Sequence, residues 1–122
     1  SAYKKPSKKV YIVLDDKKPI GNYTIESGFE KLMSKYEKVA WISVLIGEKD
    51  YWGKGISKII MSHLEEECRA MGFEYIELGV FEFNEKAIKL YRSMGYEEFG
   101  TIADFVFHKG HWMKDIRMIK KI

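Results

Sequence analysis

The chain has 122 residues, 46% of them hydrophobic and 15% aromatic, with a formal net charge of +3. That is material for one domain, residues 1–122, which on folding buries roughly two-thirds of its unfolded surface. It excludes a disordered chain, and no apolar run approaches the roughly 20 residues of a membrane span.

Neither end shows a signal-peptide pattern. The surplus lysines cluster at the termini, as Lys4, Lys5, Lys8 and Lys9 and as Lys120 and Lys121, and form no dense basic stripe, so no nucleic-acid partner is expected. The single cysteine, Cys68, cannot close an internal disulfide and points to a reducing, cytoplasmic compartment.

In chain order, "VYIVLDD" (10–16) and "IGNYTIES" (20–27) are β-branched and aromatic runs around the turn signal "KKPIG", and predict an antiparallel hairpin. Residues 28–39 space Phe29, Leu32, Met33 and Tyr36 as a short helix or helical loop would. "AWISVLIG" (40–47) is continuously apolar, as a strand buried on both faces is. An amphipathic helix follows, with Ile56, Ile59, Ile60, Leu64, Cys68 and Met71 on one face and Lys58, Glu65, Glu66 and Arg69 largely elsewhere. Gly72 stops it.

A strand over 73–81 and a helix over 84–95 come next, the helix directing Ala87, Ile88, Tyr91 and Met94 inward. Two closing strands turn at "HKGH". The order β-β-(α)-β-α-β-α-β-β predicts a mixed α/β domain of the α+β class, with helices packed on a mixed sheet.

The joint "GEKDYWGKGISKII" (47–60) places Gly53 and Gly55 around Lys54 where a strand gives way to a helix. Helix-initial N–H groups lack intrahelical partners, and glycine lets an anion reach them. The joint fits neither the P-loop nor the dinucleotide fingerprint, because Lys58 stands at the third glycine position of the latter. Alone, the pattern serves equally as a tight turn and as a phosphate cradle.

Downstream stands "NEKAIKLYRSMGY", residues 84–96. Together, "DYWGKG", a long helix, a strand and this second motif resemble the GNAT superfamily of acetyl-coenzyme A-dependent N-acetyltransferases, in the branch of ribosomal-protein and polyamine acetyltransferases. The resemblance runs from about residue 10 to 122 and is strongest over 40–100. It implies the acyl-CoA N-acyltransferase fold, a central mixed sheet flanked by helices. It implies acetyl-coenzyme A as co-substrate and the amine of a small molecule, a protein N-terminus or a lysine as acceptor. A coenzyme A-binding module with little catalysis is the alternative.

By the same resemblance, backbone groups of Val44, Leu45 and Ile46 hold the pantetheine arm. Those of Tyr51, Trp52, Gly53, Lys54, Gly55, Ile56 and Ser57 hold the pyrophosphate, and Asn84 contacts the cofactor. Tyr91 corresponds to the tyrosine that protonates the departing thiolate; read on its own residues it is a core tyrosine. A phenol suits the acid's role, its ordinary pKa near 10 lying not far above a thiol's.

The chain departs from the pattern at Asp50, where arginine or glutamine is usual, and at Trp41 and Gly79, where many members carry the basic glutamate. Glu77, two residues before Gly79 on the same strand face, is the candidate base, though read on its own it is first a surface or salt-bridged carboxylate. The family's usual first strand and two helices have no counterpart before Val10, so the acceptor is the least legible feature. His63 reads as structural, and the spacing of His108 and His111 lacks a third ligand, so no metal is expected. Cys68 reads as an inert core thiol. The exposed sheet edge leaves pairing with a second copy open.

Overall fold

The structure, a computed structural model, describes residues 6–29, 31–46 and 55–122. Strands β1 (Ser7–Asp15), β2 (Lys18–Ser27), β3 (Val39–Ile46), β4 (Tyr75–Phe81), β5 (Glu97–His108) and β6 (His111–Lys121) form one sheet in the order β1-β2-β3-β4-β6-β5. Helix α1 (Ile56–Ala70) connects β3 to β4, and α2 (Glu85–Ser93) follows β4. The β3–β4 pair is parallel and every other pair antiparallel, so the expected mixed sheet is present.

Alternation along each strand sorts side chains onto two faces. One carries Tyr23, Ile25, Ala40, Ile42, Ile76, Leu78 and Met118, which form a single buried cluster with Ile60, Met61, Leu64 and Cys68 of α1 and Ala87, Ile88 and Tyr91 of α2. Both helices therefore pack on one face, each fully buried aliphatic side chain contributing about 1.5–3 kcal/mol. The other face carries Trp41, Glu77, Gly79, Asp115 and Arg117. Residues 29 and 31–38 cross it: Phe29 stacks on Trp41 at 4.5 Å and Tyr36 on Tyr75 at 4.2 Å.

The described part of this crossing segment is irregular, not the helix its spacing predicts. Its amides donate to a distant carboxylate: Met33 N–H and Ser34 N–H bond Glu77 at 2.8 and 3.0 Å. The inward face of α1 differs from expectation at two positions. Ile59 is 68% exposed, while Glu65 is buried because Lys120 (2.9 Å) and the Tyr96 hydroxyl (2.8 Å) meet its carboxylate.

Cys68 is fully enclosed, and burial, with Glu65 and Glu67 nearby, pushes its thiol up to about 12. The nucleophilic thiolate is thus scarce at neutral pH. Ellman's reagent at pH 8 is expected to leave the folded protein unlabelled and to titrate one thiol in denaturant; rapid labelling of the native chain would contradict this burial.

Candidate active site

The parallel pair β3–β4 stays in register only from Val39 opposite Tyr75 to Trp41 opposite Glu77. Beyond that point β3 continues against β2, as far as Ile46 opposite Gly21, and β4 continues against β6, as far as Phe81 opposite Asp115. The two strands part, and their facing backbone groups open into a cavity of about 1150 Å³. Its wall includes Ile42, Val44, Leu78 and Val80 from the helix-covered face and Trp41, Ser43, Leu45 and Gly79 from the other. The cavity thus passes through the sheet.

Four of the residues singled out from the sequence line it: Val44, Leu45, Asn84 and Tyr91. Asn84 caps α2, its Oδ1 accepting from Ala87 N–H at 3.2 Å. Tyr91 lies on the buried face of α2 at 7% exposure, and burial raises its phenol to about 12. It keeps its proton throughout the neutral range.

Gly55, Ile56 and Ser57 form the start of α1. Gly55 adopts φ 76°, a left-handed conformation that favours glycine, and among the described residues a β-carbon there would meet nothing within 4 Å. Gly55→Ala is expected to lose about 1–2 kcal/mol in urea unfolding and Gly55→Asn less, since asparagine tolerates the left-handed region; equal stability of all three would refute the strain. The first turn of α1 contains no acidic residue, and among the described residues the buried Ser57 Oγ has no hydrogen-bond partner. An anion at the N–H groups of this turn would supply one, so the residues present fit a phosphate. Tyr51, Trp52, Gly53 and Lys54, together with Asp50, lie outside the described residues.

Glu77 does not line the cavity. Its side chain is fully buried, and its carboxylate accepts from Arg117 Nη1 at 2.8 Å as well as from the Met33 and Ser34 amides. Arg117 also donates from Nε to Asp115 Oδ2 at 2.9 Å and from Nη1 to the Lys31 carbonyl at 3.0 Å, with its guanidinium 4.6 Å from the Trp41 ring centroid.

Asp115 and Arg117, both in the cavity wall, were missed by sequence reasoning. The one available signal was Asp-x-Arg on a single strand face in "MKDIRM", a pattern equally typical of solvent-facing strands. Among the described residues no group of three His, Cys, Asp or Glu could hold a metal, and no helix is long and apolar enough to cross a membrane.

The strands β3 and β4 thus part at a cavity lined from both faces of the sheet, with α1 following the first of them. The model of the acetyltransferase (GNAT) family matches residues 2–96, and the chain belongs to that family. An uncharacterized N-acetyltransferase of Bacillus subtilis, YdgE, is 43% identical over 44 residues, which is 36% of this chain and 28% of that protein. The match thus spans under a third of that relative's length.

Among solved structures, ribosomal-protein-alanine N-acetyltransferase from Brucella melitensis superposes with a TM-score of 0.75 at 24% identity, covering 93% of this chain and 68% of that one. The yncA protein of Salmonella typhimurium, solved with its cofactor acetyl-CoA, gives 0.76 at 19% identity, covering 93% and 64%. These likenesses establish the acyl-CoA N-acyltransferase fold.

Proposed function

We propose that the protein transfers an acetyl group from acetyl-coenzyme A to an amine, carried by a small molecule, a protein N-terminus or a lysine. The observation that carries this reading is the through-sheet cavity with the Tyr91 phenol on its helix side. Val44, Leu45 and Ile46 offer main-chain groups to the pantetheine amides. Gly55, Ile56 and Ser57, with the preceding Tyr51–Lys54 stretch, offer the phosphates N–H groups and an unpartnered hydroxyl. Asn84 contributes its remaining amide at the cavity wall.

Main-chain N–H groups at the parted strands are suited to polarise the thioester carbonyl, and Tyr91 to stabilise the sulfur as it leaves. Glu77, with its oxygens taken by three donors, serves in this reading to fix Arg117 rather than to accept a proton. The single free thiol of Cys68 supports a reducing, cytoplasmic setting in this reading.

That engagement of Glu77 favours one second reading, a coenzyme A-binding module without turnover. Isothermal titration with coenzyme A and thiol release from acetyl-coenzyme A over an amine panel separate the two. Binding with turnover is expected. Binding without turnover selects the module, and no binding at millimolar coenzyme A rejects both.

A further inference from the structure

The cavity contains an anionic group that neither the cofactor's phosphates nor the Tyr91 chemistry requires. Asp115 is 5% exposed and stands in the wall on the face opposite Tyr91. Its Oδ2 is held by Arg117 Nε, while among the described residues Oδ1 has no hydrogen-bond partner. The charges around it do not balance: Glu77, Asp115 and Arg117 carry two formal negatives against one positive. Glu77 accepts three hydrogen bonds, from Arg117 and two backbone amides, with both oxygens engaged, whereas Asp115 accepts one, so most of the spare acceptor capacity resides on Asp115.

The site is shaped around this carboxylate. A β-carbon on Gly79 would lie 2.7 Å from Asp115 Oδ1, 3.0 Å from Oδ2 and 3.1 Å from the Trp41 ring, so the lack of a side chain at 79 is what admits it. Apolar and aromatic walls surround it: Trp41, Phe29, Phe81 and Phe105 all line the same cavity. The other carboxylate in the wall, Glu26, is paired with Lys8 at 3.5 Å. Lys31 is exposed and meets the group through its carbonyl, which accepts from Arg117. A buried carboxylate with a spare oxygen in an aromatic enclosure matches a cation that brings N–H donors on an apolar body.

We propose that Asp115 Oδ1 anchors the acceptor nitrogen, and that the acceptor is a cationic primary amine on an apolar or aromatic body. This rests on the acetyl-transfer reading and sharpens it, by placing the amine across the sheet from the phenol. The test uses the full chain saturated with coenzyme A and titrated with 2-phenylethylamine, hexylamine and their neutral isosteres 2-phenylethanol and hexanol. The amines are expected to bind at least tenfold more tightly than the alcohols. In Asp115→Asn the ratio is expected to fall toward one while coenzyme A affinity holds, a change that loss of packing alone would not produce.

A ratio of one in the unaltered protein overturns the proposal, as does a ratio that survives in Asp115→Asn or collapses in Glu26→Gln instead. Should Asp115→Asn not fold, the Asp115 carboxyl carbon resonance of the unaltered protein decides: it moves on amine addition and not on alcohol addition, or the proposal fails. Thiol release with acetyl-coenzyme A is measured alongside. Absence of turnover with every amine sinks acetyl transfer, whereas the binding ratio judges Asp115 by itself.

Discussion

Arg117→Leu is expected to be the most destabilising single substitution in the site, costing about 3–5 kcal/mol. The guanidinium, 3% exposed, is among the described residues the one cation shared by Glu77 and Asp115, which are themselves buried. Leucine has about the right volume for the space over Trp41, so lost packing is a minor part of the cost. The larger part is two carboxylates left in a low-dielectric interior with one counter-charge fewer than they share now. For a domain of this size the loss corresponds to a fall in Tm of more than about 10 °C.

Adding Glu77→Gln and Asp115→Asn to Arg117→Leu removes the stranded charges and is expected to restore part of the stability. Thermal unfolding followed by circular dichroism measures both effects. A loss under about 1 kcal/mol for Arg117→Leu would mean that water reaches the carboxylates.

Tyr91→Phe is expected to lower kcat about 10- to 100-fold and to leave the KM for the amine nearly unchanged. The magnitude follows from what the phenol can do at a pKa of about 12. A thiol titrates near 8.5, so complete proton transfer from such a phenol is uphill by about 5 kcal/mol. In the proposed reaction, burial therefore suits Tyr91 to donate a hydrogen bond to developing charge on sulfur rather than to act as the full acid that an ordinary tyrosine suggests. A bond to a charged group contributes about 1.5–3 kcal/mol, which sets the expected range.

The sign of the shift also fixes a pH dependence. Deprotonation of Tyr91 removes the donor only near pH 12, so no alkaline fall in rate between pH 7 and 10 belongs to it. Steady-state kinetics of the two proteins from pH 6 to 10 test this. Parallel profiles separated by the stated factor are expected, and equal rates would assign the sulfur's stabilisation to main chain or solvent.

The contrast between Tyr91 and Asp115 shows what the sequence could and could not reveal. Tyr91 and Asn84 belong to one continuous motif, so a local pattern sufficed to single them out, and both line the cavity. Asp115 gains its place from pairing between β4 and β6, which sets Phe81 opposite Asp115 and Gly79 opposite Arg117 across more than 30 intervening residues. Nothing near position 115 signals that. Glu65 was read outward for a similar reason, since its partners Tyr96 and Lys120 arrive from elsewhere in the chain.

The segment 28–39 was misread because helical spacing also suits side chains laid across a sheet, where Phe29 and Tyr36 find aromatic partners and Glu77 captures two amides. The strands, both long helices and their order were legible because periodicity and glycine stops are local. The wall that carries Asp115 and Arg117 was not, because it is assembled from residues far apart in the chain.

The parting of β3 from β4 has a mechanical consequence. Since only Val39–Trp41 and Tyr75–Glu77 are paired there, the sheet is two half-sheets joined along a short seam, β1-β2-β3 on one side and β4-β6-β5 on the other. Main-chain groups that would elsewhere stitch the halves together are left for whatever fills the gap. An extended ligand bonded to both lips acts as the missing strand, and its binding energy becomes cohesion of the fold, about 2.7 kcal/mol at a hundredfold excess over Kd. In the acetyl-transfer reading proposed above, loading the cofactor and tightening this seam would be a single event.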